Sequence, residues 1–307
     1  MVACCSILTV SEKREEAGGR RREARASTPC PLVDLPSTHP PTDALLESLR
    51  DAYCAVAAAG PTADAVPLVP CAGWGRGAVA ALPELASVLD AGARATEVMD
   101  ALNAARPEEL PRLRLEAVGV VGPPPPPPPP AARPPLPSTP PPPYTRVAVG
   151  GTFDRLHAGH RLLLAASALL ARDSLFVGVT GDALLAGKAH KERLQPYATR
   201  EAAAASFAVA VRPALAVETA PLLDPAAPTA ADVDPAMTAL VVSQETVGGG
   251  DRICAGRVAA GLPPLALAVV GLVGGGGGDS KISSTDLRAA DEGLGVGQRV
   301  GGSGAAV

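Results

Sequence analysis

The chain has 307 residues, room for one or two domains at roughly 100–200 residues each. Its net charge of -4 excludes a general nucleic-acid binder, which needs a basic surface, and no apolar run approaches the roughly 18 residues of a membrane-spanning helix. Aromatics make up only 2%, so any core is built from Ala, Leu and Val, while Pro 34 and Gly 32 signal linkers between folded parts.

In chain order, residues 1–41 read as disordered. They lack the apolar core of a signal peptide, and residues 12–22 mix Glu12, Glu15 and Glu16 with Lys13, Arg14 and Arg20–Arg22. Transit peptides are poor in acidic residues, so the expected compartment is the cytoplasm, with organelle import left open. The six cysteines form no C-x-x-C pair, which speaks against zinc and leaves reduced thiols as the expectation. Residues 42–59 have helical periodicity with Thr42 as N-cap. Residues 76–105 suit one or two Ala-rich helices, and Leu113–Val121 suits a strand. Together 42–122 form a small N-terminal appendage without a chemical motif.

The segment 123–143 is a boundary. Fifteen of its 21 residues are proline, opening with eight in succession. It favours polyproline II and reads as a stiff linker, with a proline-binding partner as the alternative. Beyond it the pattern alternates. Strands are expected at Arg146–Val149, Leu175–Thr180, Leu215–Leu222, Ala239–Ser243 and Leu265–Val273. Helices are expected at Gly159–Ala171, Pro196–Ala210 and Gly250–Ala260, with a further start at Ser283. Such alternation predicts a doubly wound parallel sheet, an α/β Rossmann-like fold, over 144–295, followed by a flexible tail at 296–307. With both phosphate-binding motifs inside it, 144–295 is expected to fold alone.

The strongest motif is Gly150-Gly151-Thr152-Phe153-Asp154-Arg155-Leu156-His157-Ala158-Gly159-His160, between a strand and a helix. The glycines allow a tight turn, and the helix start offers free amides and a partial positive charge suited to phosphate. His157 and His160 stand at that mouth, and no third metal ligand accompanies them. A second cluster, Lys281–Arg288, combines a cation, the hydroxyls of Ser283, Ser284 and Thr285, and Arg288 around another helix start. That inventory suits a triphosphate.

The first motif resembles the signature of the nucleotidyltransferase superfamily. Over 145–290 the chain is similar to the eukaryotic and archaeal phosphopantetheine adenylyltransferases. The further stretches are Gly178-Val179-Thr180 with Leu184, Leu185 and Lys188, Gln195-Pro196-Tyr197 with Arg200, Val241–Thr246, Gly261–Leu265 and Lys281–Arg288. The resemblance implies AMP transfer from ATP to 4′-phosphopantetheine, yielding dephospho-coenzyme A and pyrophosphate, with Mg²⁺ accompanying ATP. It implies His160 and His157 as catalytic, with Lys188 holding the acceptor phosphate and Thr152 assisting. It places Gly151, Thr152, Phe153, His160, Ser243, Glu245, Thr246, Ser283, Ser284, Thr285 and Arg288 around ATP. Asp154 and Arg155 receive support roles only. Lys191 competes with Lys188. Lys188 and Arg288 are expected on opposite sides of the first motif. The run Gly274–Gly278 departs from the acidic loop usual in this family. Rival readings are a cytidylyltransferase of the same superfamily and an inactive scaffold using the proline tract.

Overall fold

Two sheets organise the chain. The computed structural model describes residues 5–10, 29–33, 42–59, 66–67, 72, 74, 76–81, 85–90, 95–117, 142–273, 284–285 and 287–288. Outside them lie nearly all of the proline linker, the Gly274–Gly278 run, Lys281, Ser283 and the tail 296–307.

The first sheet contains β1 (Cys5–Val10), β2 (Pro29–Val33), β3 (Leu85–Asp90) and β4 (Arg114–Ala117), in the order β2-β1-β3-β4. β1 pairs antiparallel with β2 and β3, and β3 pairs parallel with β4. Two expectations change here. Residues 1–41 contribute two strands; Ile7, Thr9 and Val10 are β-branched residues that favour the extended chain. The Ala-rich stretch 76–105 holds α2 (Arg76–Ala80) and α3 (Ala95–Ala105) with a strand between them. That strand is flanked by partners on both sides, and the pairing outweighs local propensity.

The second sheet is the expected parallel α/β unit. Its elements are β5 (Tyr144–Gly151), α4 (Ala158–Leu170), β6 (Ala171–Thr180), α5 (Tyr197–Val211), β7 (Ala216–Leu222), α6 (Ala230–Val233), β8 (Ala239–Ser243), α7 (Val247–Ala259) and β9 (Ala266–Val270). All pairs are parallel, in the order β7-β6-β5-β8-β9. Chain order reverses between β5 and β8, where doubly wound sheets open a crevice at the strands' carboxyl ends. The two faces of β5 divide by alternation. Val147 and Val149 join the core under α4, and Ala148 joins the one built with Met237, Leu240 and Val242. Boundaries move by a few residues: Pro196 is the N-cap of α5 rather than its first residue, and β9 ends at Val270.

The remaining helix, α1 (Thr42–Ala59), changes the expected division of the chain. Leu45, Leu49 and Tyr53 recur every fourth residue and are 1%, 0% and 2% exposed. They belong to the same core as α4 and α5, and α1 packs directly on α4. This accounts for α4 itself, in which nine consecutive residues, Leu162–Leu170, are buried. A helix apolar all round needs cover on both sides. The sheet supplies one side, and α1 with α5 supplies the other. Trp74 adds a long-range tie, its indole N–H donating to the carbonyls of Ala210 (2.9 Å) and Val211 (3.0 Å) at the end of α5. The core of the parallel α/β unit thus also includes α1.

The packing bears directly on stability. Leu49→Ala removes a fully buried side chain from the α1–α4 contact and should cost about 2–5 kcal/mol in urea unfolding, while the surface change Glu47→Ala should cost little. Gly256 lies inside α7, where an added Cβ meets nothing within 4 Å. Gly256→Ala should therefore raise stability by about 0.4–1 kcal/mol, read as a higher urea midpoint, because it restricts only the unfolded chain.

Candidate active site

The cleft opens at the carboxyl ends of β5 and β8, with a volume of about 440 Å³. That falls within the roughly 300–1,000 Å³ range of small-molecule sites. Its base is the β5–α4 turn. Gly150, Gly151 and Thr152 line it, followed by His157, Gly159 and His160. His157 is the N-cap of α4. Its ring folds back over Gly159, where a Cβ would stand 3.2 Å from the imidazole, so a larger residue there would press on the ring. The rings of His157 and His160 stack with centroids 4.0 Å apart, and Phe153 meets His160 edge-on at 5.5 Å.

Burial and the neighbouring His157 and Arg161 hold the His160 pKa well below the usual 6.5. The imidazole is thus neutral near pH 7 and has one N–H to donate. Its Nδ1 is buried with no hydrogen-bond partner among the described residues. Phe153 is fully buried in the core and does not line the cleft; it acts by packing against His160.

The turn is conformationally costly. Phe153 (φ 52°) and Arg155 (φ 46°) adopt the left-handed region, as does His190 (φ 54°) in the facing loop. Such residues cost about 1–3 kcal/mol each and persist only where their surroundings hold them. Two buried groups do so. Arg200 donates to the carbonyls of Thr152 (2.6 Å) and Gln195 (2.9 Å) and to Asp182 (2.6 Å). The Asp154 carboxylate is fully buried and accepts from Arg288 (2.6 Å), from the Gln195 amide (2.9 Å) and, more distantly, from Arg155 (3.4 Å). Asp154 is thus more than the supporting residue expected from the motif: three loops meet on it.

Around this base, Lys188 stands exposed on the rim and lines the cleft, whereas Lys191 does not line it. Ser243, Glu245 and Thr246 line it from the end of β8. The Thr246 hydroxyl is already engaged, accepting from the Ser243 amide at 3.0 Å. Ser284, Thr285 and Arg288 also line the cleft. The Ser284 hydroxyl donates to the Asp154 carbonyl at 2.8 Å, and Arg288 donates to Thr285 Oγ1 at 3.0 Å. Ser283 and Lys281 lie outside the described residues.

The expected separation of Lys188 from Arg288 is not what the structure has. β6 and β9 do lie on opposite sides of β5. Ser284 and Arg288 nevertheless meet the β5 turn at Asp154, and Arg288 donates to the carbonyl of Ala189, next to Lys188. Leu163, Leu194 and Val270–Val273 also wall the cleft, and nothing in the sequence marks them for it. Apolar residues at strand and helix ends carry no motif that would mark them.

No protein-family model matches the chain. Among curated proteins, the phosphopantetheine adenylyltransferase of Saccharomyces cerevisiae is 41% identical over 144 residues, covering 46% of this chain and 47% of the yeast protein. That of Methanopyrus kandleri is 39% identical over 151 residues, covering 49% of this chain and 93% of the relative.

The chain belongs to the phosphopantetheine adenylyltransferase family.

The adenylyltransferase of Thermococcus gammatolerans is 35% identical over 156 residues, covering 48% of this chain and 89% of that protein. The chain spans about half the length of the yeast relative and most of the two archaeal ones. Within this adenylyltransferase family member, the parallel sheet and its switch-point cleft account for half of the chain, and α1 is the part of the remainder that completes its core.

Proposed function

We propose that the chain transfers AMP from ATP to 4′-phosphopantetheine, releasing pyrophosphate and forming dephospho-coenzyme A. The observation that carries this reading is the convergence at one switch point of His160 on a helix N-terminus, Lys188 on the rim and Ser284, Thr285 and Arg288 from the far side of the sheet. The adenylyltransferase relatives support it.

In this reading an oxygen of the acceptor phosphate attacks the α-phosphorus of ATP. The bond from that phosphorus to the bridging oxygen breaks, and pyrophosphate leaves. The chain supplies position and charge rather than a nucleophile. The neutral His160 donates to the α-phosphate, the α4 amides and Thr152 help hold the acceptor, and Lys188 binds the acceptor's phosphate. The hydroxyls of Ser284 and Thr285 and the Arg288 guanidinium face the leaving phosphates. Among the described residues, no group of three or more His, Cys, Asp or Glu side chains could hold a metal ion. Mg²⁺ would accompany ATP and offset the charge of its phosphates.

Pyrophosphate release tests the proposal. Release should require both ATP and 4′-phosphopantetheine, and CTP should not replace ATP. Release with CTP and a phosphorylated alcohol would favour the cytidylyltransferase reading, and none with either pair the scaffold reading. Lys188→Ala should raise the KM for phosphopantetheine at least tenfold, the scale of a lost charge-assisted contact of about 1.5–3 kcal/mol, while Lys191→Ala leaves it near normal. The reverse pattern would move the acceptor site to Lys191.

A further inference from the structure

Lys188 is carried by the loop between β6 and α5, and that loop is held by polar ties. Leu185 is the one buried residue among 182–195, and it belongs to none of the hydrophobic cores. The second half of the loop is bound to the β5–α4 turn. The Gln195 amide donates to Asp154 at 2.9 Å, and Arg155 donates to the Arg193 carbonyl at 2.6 Å. The stretch that contains Lys188 has one tie on either side. Arg288 donates to the Ala189 carbonyl at 3.2 Å, and Arg200 donates to the Asp182 carboxylate at 2.6 Å.

The two ends of the second tie differ in what holds them. The Arg200 side chain is 0% exposed, on a helix whose Ala204, Phe207 and Ala208 lie in the main core. The Asp182 side chain is 62% exposed, and residues 182–184 and 186–189 are exposed with it. Turn bonds run along the stretch, from the Leu184 amide to Gly181, from Ala186 to Ala183 and from Lys188 to Leu185. They link Asp182 to Lys188 as one short, continuous piece. Without the Asp182 contact that piece turns on its remaining tie at Ala189, while the core-anchored helix keeps its place. Arg200 also donates to the carbonyls of Thr152 and Gln195, so one guanidinium joins the loop to the turn that carries Thr152. Thr152 and Lys188 line the cleft; Asp182 and Arg200 do not.

We infer that Arg200 and Asp182 are positioning residues for the acceptor: they hold Lys188 in register with Thr152, so that both reach the same phosphate. The inference rests on the proposed adenylyltransferase reading and deepens it, adding a pair behind the cleft that sets affinity for one substrate. Asp182 follows β6, whereas Ser243 and Thr246 stand after β8, on the other side of β5. Arg288 keeps its bonds to Asp154 and Thr285 whatever happens at Asp182. The effect should accordingly fall on phosphopantetheine and spare ATP.

A double-mutant cycle in the full chain tests this, with the KM for each substrate read from pyrophosphate release and melting measured for each protein. Asp182→Ala should raise the KM for phosphopantetheine about threefold to tenfold, the scale of coupling within one side-chain network, and leave that for ATP near normal. Asp182→Asn keeps an acceptor oxygen for Arg200 and should recover most of the loss. Because Asp182 acts through Lys188, adding Asp182→Ala to Lys188→Ala should change the KM by less than about twofold. Asp182 is exposed, so its variants are expected to melt like the parent. Arg200→Lys keeps the charge but cannot span three acceptors, and it should raise the phosphopantetheine KM at least as far, with a lower melting temperature. An unchanged phosphopantetheine KM in Asp182→Ala, an equal loss for both substrates, or additive losses with Lys188→Ala would each overturn the inference. Absence of pyrophosphate release by the unmodified protein would instead overturn the functional reading, and is seen before any variant is made.

Discussion

His160→Ala should lower turnover about 10²–10³-fold while ATP binding changes little, because a donor aimed at charge that develops during transfer acts on the rate. Several features make His160 the sensitive position. It sits in the first turn of α4, at the positive end of the helix, and it lines the cleft. His157 stacks on one side of its ring and Phe153 meets it edge-on, so its orientation is set before substrate arrives. Its depressed pKa keeps it neutral in the folded protein. As pH falls through about 6.5 the unfolded imidazole takes a proton and the folded one does not. The unfolded state then binds more protons, so stability is full above that pH and is lost as pH falls further. Urea midpoints from pH 8 to pH 5 should decline in the parent protein and decline less in His160→Gln. Single-turnover rates and ATP affinities complete the test; a near-normal rate in His160→Ala would falsify the assignment.

Arg288→Ala is expected to damage both stability and function. The guanidinium is 2% exposed and its carboxylate partner Asp154 is fully buried. Surface pairs are worth roughly 0–1 kcal/mol, but breaking a buried one costs about 3–5 kcal/mol because a charge is left behind without compensation. Asp154 keeps the Gln195 amide and the longer Arg155 contact, which places the loss toward the lower end, about 3 kcal/mol. Removing Arg288 also frees Thr285 Oγ1 and the Ala189 carbonyl, so two loops bordering the cleft lose a common anchor. ATP affinity should fall as well. The double variant Asp154→Asn with Arg288→Ala separates the two effects: it should regain part of the stability, since no buried charge remains, without regaining ATP affinity. Chemical denaturation with ATP titration reads both quantities. An Arg288→Ala protein as stable as the parent would show that the ion pair does not hold the fold.

Much of the site was legible because its residues are close in the chain. Gly150–His160 is one contiguous strand end, turn and helix start, and its glycines, helix mouth and histidines have their meaning within eleven residues. The alternating pattern after the linker was equally local. Ala239–Ser243 forms a strand with the expected bounds, and the sheet follows from the succession of such elements. What stayed hidden was pairing between distant positions. Arg288 and Asp154 are separated by 134 residues, and neither local context announces a buried ion pair. Arg200 is the only arginine in an Ala-rich helix, yet its three bonds reach residues up to 48 positions away.

The sequence by itself determined the parallel α/β unit, the glycine-rich β5–α4 turn and most of the polar residues that line the cleft, because turn chemistry and hydrophobic periodicity act over a few residues. Only the tertiary structure decided that α1 belongs to that unit. The unbroken run Leu162–Leu170 already requires cover on two sides, but apolar contact is non-directional and carries no address. Which helix supplies the second side was settled by fit in three dimensions, where Leu45, Leu49 and Tyr53 close over α4 from more than a hundred residues upstream.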